Sequence, residues 1–203
     1  MNPLKVIITN YPEEQIEYFD MPNNNENESL GTRRVAFGRE VYIEQEDFFD
    51  GVPEKGWKRW APGLEVRLMH AYFVRCNEVI YHSDGSIKEI HATYDPLTKS
   101  GSGFNARKPN GNIHFVEAST GIKATYHLFQ PLMVDSDSDR PLEERLNPDS
   151  WKTLEGFVEK TLSHVQPGEK FQFVRNGYFS VDYDTTEGNL IFNRTVELKS
   201  SHK

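Results

Sequence analysis

Turn signals at regular spacing, without a long helical repeat, constrain the fold of this chain most. Asp84-Gly85, Asn110-Gly111 and Asn176-Gly177 are residue pairs typical of β-hairpin turns. The runs that flank them are rich in β-branched and aromatic residues. No segment keeps an apolar repeat of helical period over roughly 12 residues. Short strands about 8–12 residues apart are typical of barrels and sandwiches, so the sequence predicts an all-β fold.

The predicted strands cover most of the chain. They lie at 4–9, 15–19, 41–44, 66–80 (one bent strand or two), 87–94, 112–117, 123–129, 170–175, 178–183 and 190–198. Single helical turns are predicted at 44–49 and 140–146, and residues 148–151 are expected to turn into a further strand. Three polar loops at 23–32, 96–108 and 135–140 are expected to be long. Loops of that length are usually functional or disordered.

One segment concentrates positive charge and flat rings in an otherwise acidic protein of formal net charge −8. Its cations and rings are Lys55, Trp57, Lys58, Arg59, Trp60, Arg67, His70 and Tyr72. Cations interleaved with rings suit unstacked bases beside a phosphate backbone. Trp57 and Trp60 could instead be core or barrel-closing rings, and for Trp60 we expect the core. Because a non-selective nucleic-acid coat is normally basic, a nucleic-acid role here must rest on this local patch and on shaped pockets.

Several other classes of function are disfavoured by the sequence. Cys76 is the single cysteine, which excludes a disulfide within the chain and a cysteine-rich zinc site. We expect it to be a small buried residue. No apolar run approaches the ~20 residues of a membrane span, and no signal peptide opens the chain, so the expected compartment is the cytoplasm. The basic segment offers no convergent acid, base and nucleophile.

A series of short motifs in fixed order identifies a family. They are Asn2–Tyr11, Met21-Pro22-Asn23, Gly31-Thr-Arg33, Val41–Phe48, Lys58-Arg59, Gly63 to Leu68, Ala71-Tyr72, Thr93-Tyr94-Asp95, Gly111–Val116, Asn147-Pro148, Gly156-Phe157, Phe171–Phe179 and Phe192–Val196. Over nearly its whole length the chain resembles the C-terminal, anticodon-binding half of glutaminyl-tRNA synthetases. Each motif alone is weak, but their common order is specific.

The resemblance implies a pair of small antiparallel β-barrels. The proximal barrel would comprise residues 1–49 and 126–203, and the distal barrel residues 50–125. It also implies that the chain is a fragment, since neither the HIGH-like nor the KMSKS-like motif of the catalytic half occurs in it. Whether the chain is itself an enzyme is therefore open. No catalytic residue and no metal site is expected in it, and ATP and Mg²⁺ are implied only for the parent enzyme.

The family's anticodon contacts can be carried over by motif. Arg59 resembles the arginine that reads the third anticodon base, and Lys58 the lysine beside it. Arg67 resembles the arginine at the wobble base, although on a strand it could instead pair with Glu65. Gln172 resembles the glutamine that bonds the middle uracil, and an amide can match a uracil edge. The resemblance implies two further contacts to the loop, Arg175 and Asn23.

Two positions depart from the family pattern. Met69 stands where a further arginine is common, and Gly56 where a glutamine is common. Both departures weaken the transfer of the family's wobble-base pocket to this chain. We therefore expect this chain to read that base less strictly.

The resemblance implies a tRNA anticodon-binding module of a glutamine–tRNA ligase, acting in ATP-dependent aminoacylation. Its expected partners are the glutamine anticodon loop and the catalytic half of the same polypeptide, with no DNA, no membrane and a monomeric state. Three alternatives stay open: the equivalent module of a glutamyl-tRNA synthetase, a structural ribosomal-RNA-binding barrel, and a barrel that binds proteins.

Overall fold

The structure, a computed structural model, describes residues 1–24, 26–54, 56–134 and 139–198. Lys55 and parts of two predicted loops, at 25 and 135–138, lie outside this range. The described chain divides into two compact units. Among the described residues, the first lies within Asn2–Ile122 and Phe157–Leu162, and the second comprises Met1 and residues 123–134, 139–156 and 163–198. The barrel boundaries implied by the resemblance differ from these units and stay a prediction.

Alternating burial builds the first unit. Along its opening strand Leu4, Val6 and Ile8 are buried, while the residues between them are more exposed. The strands of the first unit are β1 (Pro3–Ile8), β2 (Glu17–Pro22), β3 (Thr32–Phe37), β4 (Glu40–Glu44), β5 (Glu65–Leu68), β6 (Phe73–Tyr81), β7 (Ile87–Asp95), β8 (Asn112–Ile113) and β9 (Val116–Glu117). Short 3-10 turns lie at Glu28–Leu30, Gln45–Asp47, Pro96–Thr98 and Lys160–Leu162.

Seven of these strands form one sheet in the order β8-β5-β6-β7-β1-β4-β9. Its ladders are antiparallel except for the parallel pairs β1–β7 and β5–β8. β2 and β3 form a separate antiparallel pair. Phe37, Trp60 and Phe115 are almost fully buried in the core that these sheets enclose.

The second unit is a five-stranded sheet. After β10 (Ile122–Phe129) the chain forms one helical turn, α1 (Leu142–Arg145), and then β11 (Trp151–Val158), β12 (Lys170–Phe173), β13 (Gly177–Val181) and β14 (Leu190–Val196). The strand order is β11-β10-β14-β13-β12. The rings of Tyr126, Phe173, Phe179 and Phe192 pack together, with centroids of the contacting pairs 4.8 to 5.9 Å apart. Tyr126, Phe179 and Phe192 are buried in the core of this unit.

The predicted all-β fold class is confirmed, and the sheets curl into half-barrels. The hairpins at Asp84-Gly85 and Asn176-Gly177 are confirmed as β6–β7 and β12–β13. The hairpin predicted at Asn110-Gly111 is wrong, because β8 runs parallel to β5 there. β3 was not predicted from the sequence, because Arg33 and Arg34 interrupt the apolar pattern in its first half. Among the described residues no helix is both long and apolar enough to cross a membrane.

Candidate nucleic-acid interface

Lys58 and Arg59 lie on an extended segment that the core holds at its end. Trp60, which follows them, is fully buried, and its backbone exchanges hydrogen bonds with Asp47 and Phe49. Arg59 Nη1 donates to the Glu46 carbonyl at 2.8 Å, and its guanidinium lies 5.9 Å from the Trp57 ring. The Lys58 side chain is exposed. The backbone of the pair is therefore fixed, while the lysine faces solvent.

Asn110 and Gly111 attach this segment to the neighbouring strand. Asn110 Nδ2 donates to the Arg59 carbonyl at 2.7 Å, and Arg67 N donates to the Gly111 carbonyl at 2.9 Å. A Cβ atom built on Gly111 would lie 2.0 Å from the Lys58 carbonyl oxygen. The absence of a side chain at Gly111 lets its backbone lie close to that of Lys58. This contact explains why Asn110-Gly111 has the sequence of a hairpin turn but does not form one.

Arg67 lies on β5, half-buried. Its Nη1 donates to the carbonyls of Ala71 and Thr98, at 3.2 and 3.0 Å, and its guanidinium lies 4.3 Å from the centroid of the Phe73 ring. Burial lowers the pKa of Arg67, but a guanidinium stays charged at neutral pH. The alternative that Arg67 pairs with Glu65 is wrong, because Glu65 pairs with Arg107.

Asn23 follows β2 and closes the loop after it. Its backbone N donates to the Gly31 carbonyl at 3.0 Å, and its Nδ2 donates to the Leu30 carbonyl at 2.8 Å. The preceding Pro22 carbonyl accepts a hydrogen bond from Arg33 Nη1 at 2.9 Å. The position of Asn23 therefore depends on Arg33.

Arg33 is held by a buried carboxylate. Its Nε and Nη2 donate to Glu159 at 2.6 and 3.0 Å, and His114 Nε2 lies 3.3 Å from the same carboxylate. Burial opposes the ionisation of Glu159, but the hydrogen bonds from His114 and Arg33 outweigh it and hold the pKa of Glu159 at about 2. Burial lowers the pKa of His70 most, and the positive charges of Arg33 and Arg67 lower it further. Both arginines are therefore near that ring.

The low pKa of Glu159 predicts a loss of stability in acid. A carboxyl whose pKa falls from 4.5 to about 2 on folding stabilises the native state fully above pH 4.5. That contribution, roughly 3 kcal/mol, is lost as the pH falls from there toward 2. Urea unfolding at pH 6, 4 and 2.5 measures the free energy of unfolding of the wild-type protein and of Glu159→Gln. The difference between the two should become smaller as the pH falls. A difference independent of pH would contradict the assignment.

Gln172 and Arg175 belong to the second unit. Gln172 is exposed on β12 beside half-buried Phe171 and Phe173, and it lies opposite Tyr178 in the ladder. Arg175 lies in the hairpin turn at φ 68°, a left-handed conformation that few residues other than glycine adopt. Such strain is concentrated at functional sites. Gln172 and Arg175 are thus close in sequence, one on β12 and the other in the turn that follows it.

Most rings of the basic segment do not serve as a stacking surface. Trp60 is fully buried and donates its Nε1 hydrogen to the Leu64 carbonyl at 3.0 Å. Tyr72 is 6% exposed and donates to Glu17 at 2.8 Å. Trp57 packs against Phe49, with ring centroids 5.1 Å apart. The expectation that Trp60 is a core ring is confirmed. The interpretation of Tyr72 as a partner for bases is wrong, because Tyr72 belongs to the core as well.

Two charged residues near the candidate site were not identified from the sequence. Arg107 bridges Glu65 and Asp95, and Glu17 accepts hydrogen bonds from Tyr11, Tyr72 and Lys99. Both residues tie the 96–108 loop to the first unit. No local pattern marks either of them, since most of their partners are distant in sequence.

Comparison with known proteins shows the family to which this chain belongs. Two family models described as "tRNA synthetases class I (E and Q), anti-codon binding domain" match residues 1–95 and 112–182. Curated relatives include proteins named glutamine–tRNA ligase from Clostridium perfringens, 49% identical over 100% of this chain and 37% of that protein, and from Clostridioides difficile, 50% identical over the same shares. The relative of that name from Nitrobacter hamburgensis is 42% identical over 99% of this chain and 36% of that protein.

The similarity extends over this whole chain, but the chain spans little more than a third of the length of these relatives. The two matched regions carry one description and together include Asn23, Lys58, Arg59, Arg67, Gln172 and Arg175. The chain therefore belongs to the family of anticodon-binding domains of class I glutamyl- and glutaminyl-tRNA synthetases.

Proposed function

We propose that this chain reads the anticodon of a glutamine tRNA for a glutamine–tRNA ligase, in the cytoplasm. The chemistry of ATP-dependent aminoacylation is assigned to the rest of such a protein, and this chain contributes specificity and positioning. The names of the curated relatives favour glutamine over glutamate as the amino acid of the parent enzyme.

The observation that supports this function best is the fixed placement of three cations in the first unit. Lys58-Arg59 and Arg67 lie on stretches of chain that both hydrogen-bond Asn110-Gly111. In a protein of net charge −8, this local group, whose backbone is held in place, is our candidate for the positive field that RNA requires. We assign the third anticodon base to Arg59, the neighbouring phosphates to Lys58 and the wobble base to Arg67.

In the second unit, the exposed amide of Gln172 is assigned to the middle uracil. Arg175 and, in the first unit, Asn23 are assigned to the flanking loop. A uracil at the middle position is common to the glutamine and glutamate anticodons. The subsite of Arg59 must therefore separate the two amino acids.

Replacement of Arg59 by glutamine should weaken binding of a glutamine anticodon stem-loop about tenfold or more, since one base contact is worth roughly 1–3 kcal/mol. Binding of a stem-loop with a changed third base should fall much less. Fluorescence anisotropy with the two labelled stem-loops, at two salt concentrations, measures the ratio. Gln172→Ala should show the same pattern for a changed middle base.

Lys88→Gln is the matched control, because it removes an equal charge from an exposed position on β7. It should weaken both stem-loops equally and only slightly. Equal binding of both stem-loops by the wild-type protein, abolished by salt, would contradict base recognition by this chain.

A further inference from the structure

Glu65 and Arg67 present opposite charges on one face of β5. Residues two apart on a strand point to the same side, and both side chains are half-buried there, while Val66 and Leu68 are buried on the other side. A carboxylate and a guanidinium so placed would ordinarily be expected to attract each other. In this structure they do not pair, and the reason is a third residue.

Arg107 forms an ion pair with Glu65. Its Nε and Nη2 donate to the two carboxylate oxygens at 2.7 and 2.9 Å, in a bidentate pair. Nη2 also donates to Asp95 at 2.7 Å. The hydrogen bonds that Arg107 donates, first to Glu65 and then to Asp95, raise the pKa of Arg107, and the bond to Asp95 lowers the pKa of that carboxyl. One guanidinium thus satisfies two carboxylates beside the candidate wobble-base residue.

The position of Arg107 is fixed by aromatic rings as well as by charge. Its guanidinium lies 5.0 Å from the centroid of Phe104 and 5.5 Å from that of Phe73. Phe73 is the ring that Arg67 also covers, at 4.3 Å. The two arginines therefore share a buried ring, so that Arg107 is held close to Arg67 without contacting the same oxygens.

The consequence for Arg67 is one unoccupied edge of its guanidinium. Nη1 is used by the carbonyls of Ala71 and Thr98. Across the described parts of the chain, neither Nε nor Nη2 of Arg67 has a hydrogen-bond acceptor. The Nε–Nη2 edge presents two parallel N–H groups, the arrangement that binds a phosphate or a guanine edge bidentately.

We propose that Arg107 is a positioning residue that keeps Arg67 available for RNA by occupying Glu65. The assignment of the free edge to RNA depends on the function proposed above, but the competition between the two arginines for Glu65 does not. Without Arg107, we expect Glu65 to turn to Arg67, which lies two residues along the same face of β5. The affinity for RNA would then fall although no contact to RNA had been removed.

Four variants test this inference: Arg107→Gln, Glu65→Gln, the double variant of both, and Arg75→Gln. Arg75 lies opposite Glu65 in the β5–β6 ladder and is exposed, so it controls for the loss of one positive charge near Glu65. The first measurement is the NMR resonance of the Arg67 Nε–H group, assigned by its loss in Arg67→Lys. The second is anisotropy with the glutamine stem-loop and with one changed at the wobble base.

In Arg107→Gln the Arg67 resonance should shift, and both affinity and wobble-base preference should fall on the order of tenfold. The double variant should return the resonance and the preference to within about threefold of wild type. Arg75→Gln should leave the resonance in place. A purely structural Arg107 predicts that the double variant binds no better than Arg107→Gln.

Two outcomes would overturn the inference. In the first, the Arg67 resonance does not move in Arg107→Gln, as it would if Glu65 turned to Arg75. In the second, the double variant recovers neither the resonance position nor the wobble-base preference of the wild-type protein. A wild-type protein that ignores the anticodon would overturn the proposed function instead. In that case the NMR measurements would still decide whether Arg107 keeps Glu65 from Arg67.

Discussion

Loss of the Glu159 carboxylate should destabilise the first unit by about 3 to 5 kcal/mol, because it leaves the Arg33 guanidinium without its counter-charge in a largely buried site. The side chain of Glu159 is 11% exposed and that of Arg33 28% exposed. Removing one partner of such a pair is far more damaging than its net contribution suggests, since the remaining charge stays desolvated. Urea unfolding of Glu159→Gln at pH 7 measures the loss.

Glu13→Gln is the matched control for this experiment. Glu13 pairs with Arg39 at 3.7 Å, but its side chain is 80% exposed, so the change should be within about 0.5 kcal/mol of wild type. Glu159→Gln should also weaken stem-loop binding, because Arg33 holds the Pro22 carbonyl next to Asn23. Similar unfolding midpoints for the two variants would show that the Arg33–Glu159 pair does not organise the unit.

Gly111→Ala should lower the free energy of unfolding about as much as Glu159→Gln does, but through a steric clash and not through a charge. The added Cβ would lie 2.0 Å from the Lys58 carbonyl oxygen, and that atom is backbone, so the whole Lys58-Arg59 segment must move. We expect a loss of about 3 kcal/mol or more in the free energy of unfolding, at the upper end of overpacking effects. The folded fraction should also lose its preference for the third anticodon base.

Gly85→Ala separates this clash from the general effect of replacing a glycine. Gly85 has φ 85° with nothing near its missing Cβ, so alanine there should cost only about 1 kcal/mol of backbone strain. If Gly111→Ala were no more destabilising than Gly85→Ala and retained third-base preference, the close approach would not be what positions Arg59.

The hairpins and strands could be predicted from the sequence because their signals are local. Asp84-Gly85 and Asn176-Gly177 each join two runs that pair with each other, so turn chemistry and pairing agree. Asn110-Gly111 carries the same signal but serves a contact with Lys58, more than fifty positions earlier in the chain. A residue pair alone does not distinguish a turn from a close approach of two backbones.

The candidate site shows the same limit. The order of motifs led to Arg59, Arg67 and Gln172, but whether Arg67 pairs with Glu65 depended on Arg107, forty residues away in sequence. Trp60 was expected in the core and lies there, but Tyr72 was misinterpreted as a partner for bases, because its ring packs against Phe19, Phe37 and Tyr94, which are distant in sequence. Charge and aromaticity show which residues are capable of binding RNA, but long-range packing decides which of them remain accessible.

The order in which a ribosome makes this chain has a consequence for Glu159. The segment Phe157–Leu162 completes the first unit, yet it is made after every strand from β1 to β9 and after β10. Until this segment leaves the ribosome, Arg33 and His114 lack their hydrogen bonds to the Glu159 carboxylate. The first unit therefore cannot reach its full stability while it is being synthesised, and a product truncated after Ile122 should resemble the Glu159 variant rather than an independent domain.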